Sequence, residues 1–313
     1  MKENPHRLSA DISEQARNFL ETSPVFRSDR IDHSNIAEIR EQTRAGYQQG
    51  CDDVVEQYQP KIEDINLNGN SIQLVTPKSY KNRDEKTAIF YLFGGGFFTG
   101  SPREDLRIIV PLADLLGLPV YAPWYPLSPE ARFPTAKDMV LDSYQSLADS
   151  SEIEKIALVG ESAGGNLAIQ TLLHNLDRQI LKPSVVGLLS PWCDLQMSGH
   201  SHDLLEGIDP TLNRVFLEDA VNCYRGEQEA GEMGISPLRA KFDSRFPPTY
   251  ISSGTNDYLL SDTLRLTTRL RDAGIEVEQS IRESMWHVFE FYPEMPEARQ
   301  SLQALARFLR KYL

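Results

Sequence analysis

The chain has 313 residues, of which 40% are hydrophobic and 25% charged, and its 45 acidic against 32 basic residues leave a net charge of −13. A surface this acidic repels nucleic acid and anionic lipid, and no apolar run of about 18 residues offers a membrane span. The polar start MKENPHRLSADISEQARNFLETSP lacks the apolar stretch of a secretory signal, and three scattered cysteines (Cys51, Cys193, Cys223) fit no metal spacing, so a cytoplasmic protein is expected.

In chain order, SEQARNFLET and SNIAEIREQTRAGYQQG have the pattern of amphipathic helices, and Pro60 ends that region. KIEDINLN and SIQLVTP are joined by Asn68-Gly69, which predicts a hairpin. TAIFYLF is a continuous apolar run, as expected of a strand buried on both faces. Helices and strands then alternate. EDLRIIVPLADLLG is a helix stopped by Gly117, LPVYAPWY a strand, TAKDMVLDSYQSLADS a helix, KIALVG a strand, SAGGNLAIQTLLHNL a helix and SVVGLLS a strand. PTYISSG, DTLRLTTRLRDAG, EVEQSIR and ARQSLQALARFLRKYL complete the series as strand, helix, strand and helix. The alternation predicts an α/β fold with a mostly parallel sheet covered by helices on both faces. One long stretch, from Pro191 to Pro248, interrupts it with a single clear helix, PTLNRVFLEDAVNCY. A loop of that length in a compact domain is usually functional, and with the N-terminal helices it would form a lid.

The sharpest chemical signal is Gly160-Glu161-Ser162-Ala163-Gly164, set between an apolar strand and a helix. In that context G-x-S-x-G is a nucleophile elbow, whose serine projects above the sheet at a helix N-terminus. Ser162 needs a base, and folds with this elbow run nucleophile, acid, histidine along the chain. His6 and His33 precede the serine. His174 is twelve residues down the helix, roughly 18 Å away at about 1.5 Å per residue, and is expected on the surface. His200 and His202, in SGHSHD, are expected in a solvated loop. His287 follows the strand EVEQSIR, at the sheet edge where Ser162 also lies. The acid should follow the preceding strand, where GTNDYLLSD offers Asp257 and Asp262. Asp257 is preferred, because Asp262 fits a helix N-terminus with Ser261 as its cap. Gly94-Gly95-Gly96 follows TAIFYLF without a dinucleotide or P-loop pattern. It fits the loop that supplies oxyanion-hole amides in α/β-hydrolases, with a further amide from Ala163 after the nucleophile.

These motifs together resemble the hormone-sensitive-lipase-like, bacterial family IV carboxylesterases of the α/β-hydrolase superfamily. The resemblance covers about residues 88–313. It rests on FGGGFFTGS (HGGGF in the family), YPLSPEARFPTA (YRLAPEHPFPAA), GESAGGNLA (GDSAGGNLA), LLSPWCDL, GTNDYLLSD and MWHVF. It implies Ser162, Asp257 and His287 as the triad, with Gly95, Gly96 and Ala163 as the oxyanion hole. It also implies a cap formed by residues 1–55 and an insertion at about 194–236, on a core spanning 56–313. Homodimers through the sheet edge near the last strands are a further family property. Two positions depart from the pattern: Phe93 stands where the family has histidine, and Trp124 where it has aspartate.

The expected activity is hydrolysis of short-chain acyl esters through an acyl-enzyme, with a small ester as substrate, a homodimer as a possible assembly, and no cofactor or metal. The same triad would also serve lactone, amide or acetyl-group hydrolysis. A binding protein on this fold, as in the gibberellin receptors, would lack a triad member. Phe97, Phe98, Trp192 and Trp286 suit either a substrate site or the core. Phe93 is expected to pack in the core and hold the glycine loop by contact.

Overall fold

The computed structural model describes residues 8–26, 30–31, 34–80 and 86–313. His6 and His33 lie outside them. Along the chain the elements are α1 (Glu14–Thr22), α2 (Ile36–Tyr58), β1 (Lys61–Leu67), β2 (Asn70–Thr76), β3 (Thr87–Leu92), α3 (Leu106–Leu116), β4 (Val120–Pro123) and α4 (Thr135–Ala148). They continue with β5 (Lys155–Glu161), α5 (Ser162–Asn175), β6 (Val185–Leu189), α6 (Ser201–Leu204), α7 (Arg214–Tyr224), β7 (Thr249–Gly254), α8 (Leu260–Asp272), β8 (Val277–Arg282) and α9 (Pro296–Arg310). The strand order in the eight-stranded sheet is β1-β2-β4-β3-β5-β6-β7-β8. Only β2 pairs antiparallel, with β1 and β4; all the other neighbours are parallel.

This order has a functional consequence. From β3 the chain winds outward to β4, then returns to place β5 on the other side of β3. The strand order therefore reverses between β3 and β5. Loops leaving those two strands diverge and open a crevice at their carboxyl ends, where ligands of open α/β sheets bind. The glycine loop leaves β3 and Ser162 leaves β5.

Continuous apolar runs became strands buried on both faces. All residues of β5 except Lys155, and all of β6 and β7, are buried. Helix α5 is enclosed too, with 12 of its 14 residues buried. Its N-terminal Gly164 and Gly165 allow that closeness. Helix α3 ends where Gly117 adopts the left-handed conformation, as the sequence predicts.

The N-terminal segment and the long insertion meet each other. Asp219 of α7 accepts the Ile31 amide at 2.8 Å and pairs with Arg30 at 2.8 Å, while Phe26 packs edge-on against Phe216. Helix α1 also braces the loop after β8. Phe19 stacks on Trp286 with centroids 4.3 Å apart, and the Ser13 amide and hydroxyl both donate to Glu297 of α9. Leu20, Met285, Trp286 and Phe289 form a small separate core there. No helix among the described residues is long and apolar enough to cross a membrane.

Candidate active site

Ser162 is the first residue of α5 and has a φ of 50°, a strained left-handed conformation for a serine. The turn is kept tight by its neighbours. A Cβ on Gly164 would lie 2.0 Å from the Leu92 carbonyl oxygen of β3, so only glycine lets the elbow sit flush on that strand. The Trp192 amide fixes the turn from the other side by donating to the Ser162 carbonyl at 3.0 Å.

His287 lies on the loop after β8, with Nε2 2.9 Å from Ser162 Oγ and Nδ1 3.1 Å from Asp257 Oδ1. Asp257 follows β7 and is fully buried. Its Oδ1 also accepts the Leu259 amide at 2.9 Å, and its Oδ2 accepts the Ser253 hydroxyl at 2.6 Å. Burial would raise this carboxyl, but the charge and hydrogen bond of His287, helped by Ser253 and Ser190, bring it below its ordinary value. Asp257 is therefore held as an anion behind the imidazole.

Asp262 has a different task. Its Oδ2 accepts the amides of Cys193 and Asp194, both at 2.8 Å, and so anchors the start of the insertion. Ser261 does not cap α8: the N-cap position is Leu259, and the Ser261 hydroxyl instead accepts the Ser201 amide at 2.9 Å. That pairing draws α6 against α8 and corrects the expectation for His202, which is fully buried with Nε2 3.4 Å from Asp262 Oδ1. His200 is exposed and His174 lies on the surface, as expected.

The glycine loop is shaped by its backbone. Gly95 has a φ of 92°, and its carbonyl accepts the amides of Phe98 and Thr99 at 3.2 and 3.0 Å. That turn leaves the Gly95 and Gly96 amides with no protein acceptor among the described residues. Phe93 is buried, as expected, and the Tyr125 hydroxyl donates to its carbonyl at 2.6 Å. The Gly94 amide donates to the Glu161 carboxylate. Burial, and then the adjacent Asp105 carboxyl, push Glu161 well above its ordinary value; Asp105 is raised too, chiefly by burial, while accepting the Tyr91 hydroxyl at 2.9 Å. Two carboxyls in contact in a dry environment are most stable sharing a proton.

Asp209 is the residue that sequence reasoning missed. It belongs to the insertion and is fully buried. Its Oδ2 accepts the Tyr258 amide at 2.8 Å and the His287 amide at 3.2 Å, while Oδ1 accepts the Thr211 amide and hydroxyl and the Leu212 amide. It thereby ties the insertion to both loops that carry the acid and the histidine. Burial, and next the charge of Asp257, raise its carboxyl to about 6. Nothing local marks this aspartate, since 78 residues separate it from His287 in the chain.

These groups open into a cavity of about 180 Å³ that is walled by Gly94, Gly95, Gly96, Ser162 and His287. The N-terminal segment contributes Phe26 and Tyr47, the insertion Leu212 and Phe216, and the turn after His287 Phe291 and Tyr292. Phe97, Phe98, Trp192 and Trp286 are fully buried and belong to the packing around it. No cluster of His, Cys, Asp and Glu suited to a metal occurs among the described residues.

A family model described as alpha/beta hydrolase fold matches residues 89–291. An esterase of Acinetobacter venetianus is 31% identical over 223 residues, which is 70% of this chain and 73% of that protein. An acetyl-hydrolase of Streptomyces hygroscopicus is 28% identical over 230 residues, 73% of this chain and 77% of that protein. The crystal structure of an esterase from the bacterial hormone-sensitive lipase family superposes with a TM-score of 0.78 at 27% identity, covering 88% of this chain and 96% of the other. With the elbow, the glycine loop and the reversed strand order around them, this chain belongs to the α/β-hydrolase fold family, in its hormone-sensitive-lipase-like branch of carboxylic-ester hydrolases.

Proposed function

We propose that this chain is a serine carboxylesterase for short-chain acyl esters, with Ser162, His287 and Asp257 as its triad. The observation that carries the proposal is the relay from Ser162 Oγ to His287 Nε2 at 2.9 Å and from His287 Nδ1 to Asp257 Oδ1 at 3.1 Å. Asp257 holds the imidazole so that Nε2 faces the serine, and it stabilises the imidazolium when a proton arrives. Ser162 Oγ attacks the ester carbonyl as His287 takes its proton. The carbonyl oxygen becomes an alkoxide held by the amides of Gly95, Gly96 and Ala163, each contributing roughly 3–4 kcal/mol. His287 then protonates the leaving alcohol, and the acyl group stays on Ser162. Water, activated by the same imidazole, releases the acid and restores the serine.

The short-chain preference is supported by the small cavity of about 180 Å³ beneath the insertion, well short of what drug-sized ligands occupy. The acetyl-hydrolase relative points the same way. The covering segments make the cap: helices α1 and α2 from the N-terminal side, α6 and α7 from the insertion. The test is a series of p-nitrophenyl esters from acetate to decanoate with the native chain and with Ser162→Ala. Turnover should be greatest at two to four acyl carbons, and Ser162→Ala should abolish it. Undiminished turnover by Ser162→Ala refutes the triad, and a preference for the longest chains refutes the short-chain claim.

A further inference from the structure

Two residues in the wall of this cavity carry buried polar atoms that take no part in the chemistry above. Thr99 is 6% exposed and Glu104 is 8% exposed; Thr99 Oγ1 and Glu104 Oε2 are buried and have no hydrogen-bond partner among the described residues. Leaving such groups unpaired is costly, so a group that enters the cavity and pairs with them is held more tightly than one that does not. Both residues line the cavity that holds Ser162, and both also border a second cavity of about 440 Å³ behind the glycine loop. They therefore form a polar partition where the two spaces meet, together with Gly100.

We infer that Thr99 and Glu104 form a subsite for a hydroxyl group carried by the substrate, a reading that rests on the ester-hydrolase function proposed above. The donor and acceptor inventory selects this group. Glu104 Oε2 accepts, while the Thr99 hydroxyl both donates and accepts. A substrate hydroxyl satisfies both, giving its proton to the carboxylate and taking one from Thr99. The carboxylate already has a cation at its other oxygen, with Arg44 Nε 3.8 Å from Oε1. That favours a neutral hydroxyl over an ammonium group. Position sets the reach: Thr99 donates its amide to Gly95 across one turn of backbone. The pair thus lines the same cavity as the glycine loop and Ser162, so the hydroxyl to test is one a few bonds from the ester carbonyl, on either side of it.

The test compares esters that differ only by hydroxyl against methyl. One series places the group on the alcohol side: 2-hydroxyethyl and 3-hydroxypropyl acetate against propyl and butyl acetate. The other places it on the acyl side, with methyl 3-hydroxybutyrate against methyl 3-methylbutyrate. In at least one series the hydroxyl ester should have kcat/KM about tenfold or more above its methyl partner. In the double variant Thr99→Val with Glu104→Gln that ratio should fall to near one. Calorimetric binding of the same pairs to Ser162→Ala supplies a readout without turnover. Ratios near one in both series with the native chain, or an undiminished ratio in the double variant, overturn the subsite and leave ester hydrolysis standing. A stronger preference for 2-aminoethyl acetate also overturns the assignment to a hydroxyl. Discrimination that persists in binding while no ester is turned over supports the subsite and refutes the esterase reading. Should the double variant fail to fold, the native comparison decides alone.

Discussion

The ring of Phe93 lies flat on that of Tyr125, with centroids 3.9 Å apart and planes 3° apart. The Tyr125 hydroxyl reaches back to the Phe93 carbonyl, 2.6 Å away. The pair grips the residue that precedes the glycine loop by one stacked face and one hydrogen bond. Tyr125→Phe keeps the stack and removes the hydroxyl, leaving a buried carbonyl unpaired at a cost of about 1–3 kcal/mol. The expected result is a loss of stability in that range and, if the glycine loop is the proposed oxyanion hole, a fall in kcat of about tenfold with little change in KM. Phe93→Ala should cost more, about 3–5 kcal/mol. Urea unfolding and steady-state kinetics check both. An unchanged kcat in Tyr125→Phe would mean that the clamp does not position the amides.

Asp257→Asn keeps the shape of the acid and removes its charge. The neutral amide no longer favours the Nδ1–H form of His287, nor does it stabilise the imidazolium. A drop in kcat of about 10⁴ is expected, with the fold intact by circular dichroism and melting. Asp262→Asn serves as the contrast. Its carboxylate holds the amides of Cys193 and Asp194, so this change should lower stability by about 1–3 kcal/mol while kcat falls far less than in Asp257→Asn. Equal kcat losses in the two variants would remove the basis for choosing Asp257.

The parts of the site that the sequence made legible are those defined by local rules. Steric exclusion fixes G-x-S-x-G: the Leu92 carbonyl lies where a Cβ on Gly164 would go. Strand-by-strand alternation then orders the chain, so the loops after β7 and β8 end at the edge of the sheet where Ser162 lies. Asp257 and His287 could be named as candidates on that ground, and both lie in one hydrogen-bonded chain with Ser162. What stayed hidden was set by contacts between distant segments. Asp209 looks like an ordinary turn residue until the insertion folds back and the amides of Tyr258 and His287 turn toward it. His202 sits in a polar stretch, yet the four-residue helix α6 packs on α8 and buries it. Ser261 has the composition of a cap but is used between helices, in exchange with Ser201.

The elbow itself yields a prediction about folding. Gly164→Ala would place a methyl group 2.0 Å from the Leu92 carbonyl oxygen, a Cβ fixed to its backbone against a backbone atom. Neither can rotate away, so β3 and α5 would have to separate. The expected outcome is a loss of more than about 3 kcal/mol or recovery only as insoluble chain. Any soluble fraction should label poorly with a fluorophosphonate. Gly46→Ala, in an exposed part of α2 with nothing within 4 Å of the added methyl, should raise stability by about 0.5–1 kcal/mol. Comparable melting temperatures for the two variants would count against the tight strand-to-elbow contact.

Asp209 makes a prediction about pH. Its carboxyl is raised from 3.8 to about 6, first by burial and then by the charge of Asp257. The folded chain thus prefers Asp209 protonated. The stability tied to that preference is fully present below the unfolded value of 3.8 and is lost as pH rises through about 6. Asp209→Asn is neutral at every pH and has no such dependence. The unfolding free energy of the native chain minus that of Asp209→Asn should therefore decline between about pH 4 and about pH 6, and level off above about pH 7. Asp257 and His287 remain in both chains, so their own titrations largely cancel in the difference. Urea unfolding at half-unit pH steps supplies the measurement. A difference that is flat from pH 4 to 7, or that rises, would show that Asp209 is ionised throughout. In that case the five hydrogen bonds it accepts from Tyr258, His287, Thr211 and Leu212 outweigh its burial and its proximity to Asp257.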